Sequence, residues 1–106
     1  MCIMSISQKV SNNGKKVNIN ITGRFDYKLS QVFRDSYRQI PGQDDVSYHI
    51  DLSDATFMDS SALGMLLLLR EHAKCHGGSV IIDQPSKQID NILKVANFEQ
   101  LFTINY

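Results

Sequence analysis

Hydrophobic and polar side chains alternate along some stretches of this chain and recur at helical spacing along others, and the order of the two periodicities predicts the fold. From Cys2 to Ile6 the alternation sets Cys2, Met4 and Ile6 against Ile3 and Ser5. Ile3 blurs the pattern, yet a first strand is expected there. Asn12-Asn13-Gly14 is a turn signal, after which Val17, Ile19 and Ile21 alternate cleanly with Asn18, Asn20 and Thr22. An antiparallel hairpin follows from that pairing of turn and alternation. Beyond Gly23-Arg24-Phe25-Asp26, the positions Leu29, Val32, Phe33, Tyr37 and Ile40 return every three or four residues and stop before Pro41-Gly42, which predicts a helix with one buried face.

Val46, Tyr48, Ile50 and Leu52 then alternate with Ser47, His49, Asp51 and Ser53, giving a third strand. A long apolar helix runs from about Ser60 to His76 and stops at Gly77-Gly78, with Arg70, His72, Lys74 and His76 in its last turns, where cations complement the helix dipole. Ser79 to Asp83, built on Val80-Ile81-Ile82, reads as a strand buried on both faces. Pro85-Ser86 opens a third helix carrying Ile89, Ile92, Leu93 and Ala96 on one side, and Leu101 to Tyr106 forms a short last strand. The expected fold is α/β: a mixed sheet of four to five strands, an antiparallel N-terminal hairpin plus parallel strands, with about three helices packed on it and one face open.

Composition narrows the function. At 106 residues and 42% hydrophobic content the chain suits one domain over 1–106, with no linker or repeat inside it. Lys plus Arg and Asp plus Glu both number 11, so no global field draws the protein to nucleic acid or an anionic membrane. Cys2 and Cys75 belong to no Cys-x-x-Cys pair and read as reduced thiols, in keeping with a cytoplasmic protein. The N-terminus does not resemble a secretory signal. The longest apolar run, Ala62 to Leu69, is too short for a bilayer, which needs roughly 20 residues.

The candidate chemistry sits where the third strand hands over to the long helix. Phe57-Met58-Asp59-Ser60-Ser61-Ala62-Leu63-Gly64 carries an extended segment through an Asp-Ser-Ser turn into that helix. Its first backbone N–H groups lack intrahelical partners and the dipole there is positive, so negative charge is favoured, a covalently attached phosphate included. Asp59-Ser60-Ser61 therefore reads either as a switch site or as an ordinary N-cap. His72 and His76, four apart with Cys75 between them, have no third ligand near in sequence, so no metal and no cofactor are expected. A hydrolase would need Ser60 or Ser61 with His49 or His72 as base, but the Gly-x-Ser-x-Gly elbow and any Walker-type loop are absent. Of the apolar side chains on the long helix, Met65 and Leu68 or Leu69 are expected at the surface.

Three segments, Gly23-Arg24-Phe25-Asp26, Phe57 to Gly64 and His76-Gly77-Gly78-Ser79-Val80, carry a resemblance that spans nearly the whole chain. In their order and spacing the chain resembles the STAS-domain anti-sigma factor antagonists of bacterial partner-switching systems. The resemblance implies a non-enzymatic switch protein, monomeric when free. The unphosphorylated form would bind an anti-sigma factor, often itself a GHKL-type serine kinase, and release the sigma factor; phosphorylation would break the complex and a PP2C-type serine phosphatase would restore it. By position the phosphoacceptor is Ser60. Asp26, Met58, Asp59, Ser61, Ala62, Leu63 and Met65 are carried over as partner-binding residues. Two features depart from the family pattern: Ala62 stands where Gly is usual, and the chain ends at Tyr106 without the C-terminal helix common in relatives. A second function fits the same resemblance, that of an unphosphorylated STAS subunit of a lipid ABC transporter.

Overall fold

The structure is a computed structural model, which describes residues 6–11, 14–38 and 44–106. Its main sheet contains β1 (Ile6–Val10), β2 (Lys16–Ile21), β4 (Ser47–Asp51), β6 (Ser79–Asp83) and β7 (Thr103–Asn105) in the order β1-β2-β4-β6-β7. β1 pairs with β2 antiparallel, while β2–β4, β4–β6 and β6–β7 are parallel. The parallel neighbours are joined by crossovers through α1 (Ser30–Arg38), α2 (Ser60–Cys75) and α3 (Lys87–Val95), as parallel pairing requires. The mixed α/β architecture read from the sequence is the one observed, and the sheet has five strands.

Alternation sorts the side chains between two unlike faces. Val17, Ile19, Ile21, Tyr48, Ile50 and Ile82 are wholly buried beneath the helices, together with Phe25, Phe33, Leu66, Leu69, Ile89 and Leu93. Fully burying each such side chain is worth about 1.5–3 kcal/mol. The opposite face carries Asn18, Asn20, Ser47, His49, Asp51 and Asp83, none of them fully buried. There His49 Nδ1 lies 2.9 Å from Asp83 Oδ2 and His49 Nε2 lies 3.2 Å from Ser47 Oγ, which ties β4 to β6 by side chains as well as backbone.

The first strand differs from expectation. Cys2 to Met4, on which it was placed, lie outside the described residues, and the strand present is Ile6–Val10. Its register, Ile6↔Ile21, Gln8↔Ile19 and Val10↔Val17, is set by the partner strand and not by its own weakly alternating sequence. Asn12-Asn13 and the expected end of the first helix, Ile40-Pro41-Gly42, also lie outside the described residues. That helix opens with a single 3-10 turn, Tyr27–Leu29, capped by the Asp26 side chain. The last strand is shorter than Leu101–Tyr106.

One feature was not anticipated. β3 (Gly23–Phe25) and β5 (Ala55–Met58) form a separate two-stranded parallel sheet. α3 packs on β5, and Ser86 fastens the contact: its Oγ accepts from Ile89 N–H as the N-cap at 3.4 Å and donates to the Ala55 carbonyl at 3.2 Å. The small sheet delivers the Asp26 and Asp59 turns side by side.

Candidate functional site

Asp59 organises the entrance to α2 through both of its carboxylate oxygens. Oδ1 accepts from Ala62 N–H at 2.8 Å, satisfying one of the helix's orphan donors, and Oδ2 accepts from Tyr27 N–H at 3.2 Å across the gap to the neighbouring turn. The Asp59 backbone N–H donates to the Phe25 carbonyl at 3.3 Å. An N-cap of this kind is worth about 0.5–2 kcal/mol. Here it also locks two chain segments together.

The neighbouring turn is built in the same manner. Asp26, almost buried, accepts from Lys28 N–H at 3.1 Å, and its other oxygen stands 3.6 Å from Arg24 Nε. Arg24 in turn lies over the Phe57 ring, 4.4 Å from its centroid. Two carboxylates, Asp26 and Asp59, thus flank one surface, each held by backbone N–H groups.

Ser60 and Ser61 occupy the first two positions of α2 and both are exposed. Neither hydroxyl makes a side-chain hydrogen bond among the described residues, since Asp59 takes the capping role. The sequence left open whether a serine or the aspartate caps the helix; the aspartate does, and the serines are free to face solvent. Ala62 adopts an ordinary helical position, wholly buried.

Several expected contact residues lie beneath this surface. Met58, Ala62 and Met65 are 3%, 0% and 7% exposed, so their side chains support the turn from inside the core, where apolar burial places them. Met65 was expected at the surface and is corrected to a core position; of Leu68 and Leu69, one of which was expected there, Leu68 is 57% exposed and Leu69 is wholly buried. Leu63 is partly buried. From Ser61 an open groove of about 620 Å³ runs between the 3-10 turn with α1 and the outer side of α2, walled by Tyr27, Ser30, Gly64, Leu67 and Leu68. Tyr27 is 63% exposed. These contacts escaped the sequence because a helix apolar on every side does not announce which leucines face out.

The histidines considered as bases are elsewhere. His49 is engaged with Asp83 and Ser47 on the open face of the sheet. His72 stands twelve residues along α2 from Ser60, roughly 18 Å at 1.5 Å per residue. Among the described residues no group of three His, Cys, Asp or Glu side chains could hold a metal ion, and no helix is long and apolar enough to cross a membrane.

Known proteins share sequence and fold with this chain. A family model described as Mlab, STAS domain matches residues 9–103. The chain belongs to the STAS-domain family. A STAS-domain containing protein of Pseudomonas aeruginosa (strain UCBPP-PA14) is 43% identical to this STAS domain over 105 residues, covering 96% of this chain and all of that one. The anti-sigma-B factor antagonist of Bacillus subtilis (strain 168) is 24% identical over 102 residues, covering 96% of this chain and 93% of the relative. Among solved structures, the anti-sigma factor antagonist SpoIIAA in its unphosphorylated form superposes with a TM-score of 0.75 at 19% identity, over 95% of this chain and 87% of that one. The fold of this STAS domain is therefore the fold of SpoIIAA.

Proposed function

We propose that this STAS domain is an anti-sigma factor antagonist whose binding is switched by phosphorylation of Ser60. The observation that carries the reading is the exposed Ser60 hydroxyl at the first turn of α2, relieved of capping duty by Asp59, in a chain similar to an anti-sigma-B factor antagonist. The partner would be an anti-sigma factor, of the GHKL serine-kinase type where it also phosphorylates, and a PP2C-type phosphatase would reset the switch in the cytoplasm. The binding surface would centre on Ser61, Asp59, Asp26 and the half-buried Leu63, extended by Tyr27, Leu67 and Leu68 along the groove. Met58, Ala62 and Met65 would act from beneath by shaping the turn.

The physical logic is an asymmetry between fold and interface. A phosphate adds about −1.5 to −2 charges at neutral pH, which a helix N-terminus tolerates and even favours. Placed between a docked partner and two fixed carboxylates, Asp26 and Asp59, the same charge is repelled and must be desolvated. One modification can therefore leave the domain folded while ending the complex.

The test combines intact-mass and phosphopeptide analysis of protein from cells with Ser60→Ala and Ser60→Asp forms in a pull-down. A single phosphate in the wild type that disappears in Ser60→Ala, with partner capture retained by Ser60→Ala and lost in Ser60→Asp, is the expected result. A protein that carries no phosphate under any growth condition, and whose Ser60→Asp form captures the same partner as the wild type, would replace the switch with a scaffolding subunit such as that of a lipid transporter.

A further inference from the structure

The far end of α2 holds a second concave site, which adjoins the groove from Ser61 and shares Arg34, Leu68 and Glu71 with it. A pocket of about 500 Å³ opens between α1 and α2, with Arg34, Tyr37 and Arg38 from α1 facing His72, Cys75 and His76 from α2. The two arginines are four apart and so are the two histidines, which puts each pair on one face of its helix and both pairs on the same cavity. Glu71 also borders the pocket, but its carboxylate lies 66% exposed and 3.6 Å from Arg70. The walls are rich in groups that are, or can become, cations.

A second observation points to an absent partner. His72 Nε2 is shielded from solvent and has no hydrogen-bond partner among the described residues, and neither does the hydroxyl of Tyr48. The His72 ring packs 4.9 Å from Tyr37, 4.9 Å from His76 and 6.2 Å from Tyr48. A buried polar atom left unpaired is costly, and a rotation of the ring that turned Nε2 toward the pocket would let a bound acceptor remove that cost. Guanidinium groups suit phosphate oxygens because their planar donors meet them in pairs, and a protonated imidazole adds a further donor.

We propose that the pocket between α1 and α2 binds the phosphomonoester dianion of a small molecule no larger than a mononucleotide, held by Arg34, Arg38, His72 and His76. The size is that of ordinary small-ligand sites. Inorganic phosphate and a nucleoside 5′-monophosphate present the same dianion, and they differ in whether a ring is available to pack on Tyr37 and Leu68. Every titratable group around His72 bears on the pH response: Arg34, Arg38 and Tyr37 from α1, Tyr48 from β4, Glu71, Cys75 and His76 from α2, and Asp44, whose Oδ1 lies 3.4 Å from His76 Nδ1. Burial, His76 and Arg38 all disfavour a proton on His72. A bound dianion opposes that bias and raises the pH at which the His72 ring takes its proton.

The experiment follows the imidazole resonances of His72 and His76 in the full chain while inorganic phosphate, and separately a nucleoside 5′-monophosphate, is titrated in at constant ionic strength. Saturable shifts of both rings are expected at about pH 7.5, where the dianion predominates, and the His72 ring takes its proton at higher pH with the ligand bound than without it. Arg34→Gln weakens the apparent Kd about tenfold, whereas Arg24→Gln, on a surface outside the pocket, leaves it unchanged. A tighter Kd for the nucleotide identifies ring contacts, and equal values identify free phosphate as sufficient. Shifts that do not saturate, that chloride reproduces, or that Arg34→Gln leaves intact in a variant with wild-type circular dichroism would overturn the site. The result is read on the free chain and so is distinguishable from the Ser60 switch, because Ser60 does not line this pocket.

Discussion

The two ends of α2 solve opposite problems with the same helix. At its start a single carboxylate, Asp59, satisfies Ala62 N–H and Tyr27 N–H at once, which leaves the hydroxyls of Ser60 and Ser61 exposed and without a structural task. At its finish one polar side chain is drawn inward: His72 is packed against Tyr37 and Tyr48, and the chain turns at Gly78 with backbone close against the Val46 backbone. The first end is fastened by hydrogen bonds and leaves chemistry outside. The second is fastened by close packing and takes chemistry in. A charge added at the start therefore meets solvent and a helix dipole, whereas a charge added at the finish meets a desolvated ring and an arginine.

The sharpest way to break this contrast is at Gly78. A Cβ built there would stand 2.2 Å from the Val46 carbonyl oxygen, a backbone atom that cannot swing away. Gly78 N–H also closes the helix by donating to the Ala73 carbonyl at 2.8 Å. Gly78→Ala is expected to cost about 1–3 kcal/mol or more, the penalty of an overpacked site, seen as a lower urea midpoint. At the opposite end, Asp59→Ala should cost about 1–2 kcal/mol, the upper part of the range for a lost cap, because the Tyr27 N–H loses its acceptor as well. Asp59→Asn, which keeps an acceptor oxygen, should recover most of that loss in the same urea titration. If Asp59→Ala unfolded at the wild-type midpoint, the hydrogen-bonded account of this end would fail.

The sequence made some of this legible and hid the rest for physical reasons. β2 and β4 were plain because Val17, Ile19 and Ile21 and then Tyr48 and Ile50 alternate with polar residues, as a sheet with one buried face demands. β6 was found by its apolar run, although only Val80 and Ile82 turned out to be buried, Ile81 lying on the open face. β3 and β5 were missed because segments as short as Gly23–Phe25 and Ala55–Met58 have no room for a period, and their pairing joins residues some thirty positions apart. The Asp-Ser-Ser turn was visible as a helix entrance. Its link to Tyr27 was not, since that bond depends on the unforeseen small sheet. Within α2, Leu66 and Leu69 look no different in sequence from Leu67 and Leu68, and only packing against the sheet separates buried from exposed. The cation-lined pocket had a readable signal, two pairs of basic residues four apart on different helices, but nothing in the sequence states that those faces meet.

A smaller change sharpens the first end. A Cβ on Gly64 would meet nothing within 4 Å, and the residue sits inside a helix where glycine is conformationally expensive. Gly64→Ala should therefore raise stability by about 0.5–1 kcal/mol in thermal or urea unfolding. Because Gly64 also walls the groove beside Ser61, the same variant should bind its partner less well despite being more stable. Stability and binding moving in opposite directions would place the partner in that groove; binding unchanged would move it elsewhere along the surface.

The smallest expected effect is a slope with pH, and it belongs to the packed end. The His72 pKa is lowered from 6.5, first by burial and then by His76 and Arg38. The unfolded chain thus binds a proton at a pH where folded His72 remains neutral, so protonation favours unfolding. The stabilisation is fully present above the ordinary histidine pKa of 6.5 and is lost as pH falls from there through the depressed folded value. Asp51 and Asp90, whose pKa values are lowered from 3.8, act in the same direction only in more acidic solution, which leaves a window for His72. Urea midpoints measured from about pH 7.5 down to about pH 5.5 should decline in the wild type, and less steeply in His72→Gln. His76, 39% exposed at the mouth of the same pocket and 3.4 Å from Asp44, supplies the control: His76→Gln should keep most of the decline, because the ring that folding desolvates is that of His72.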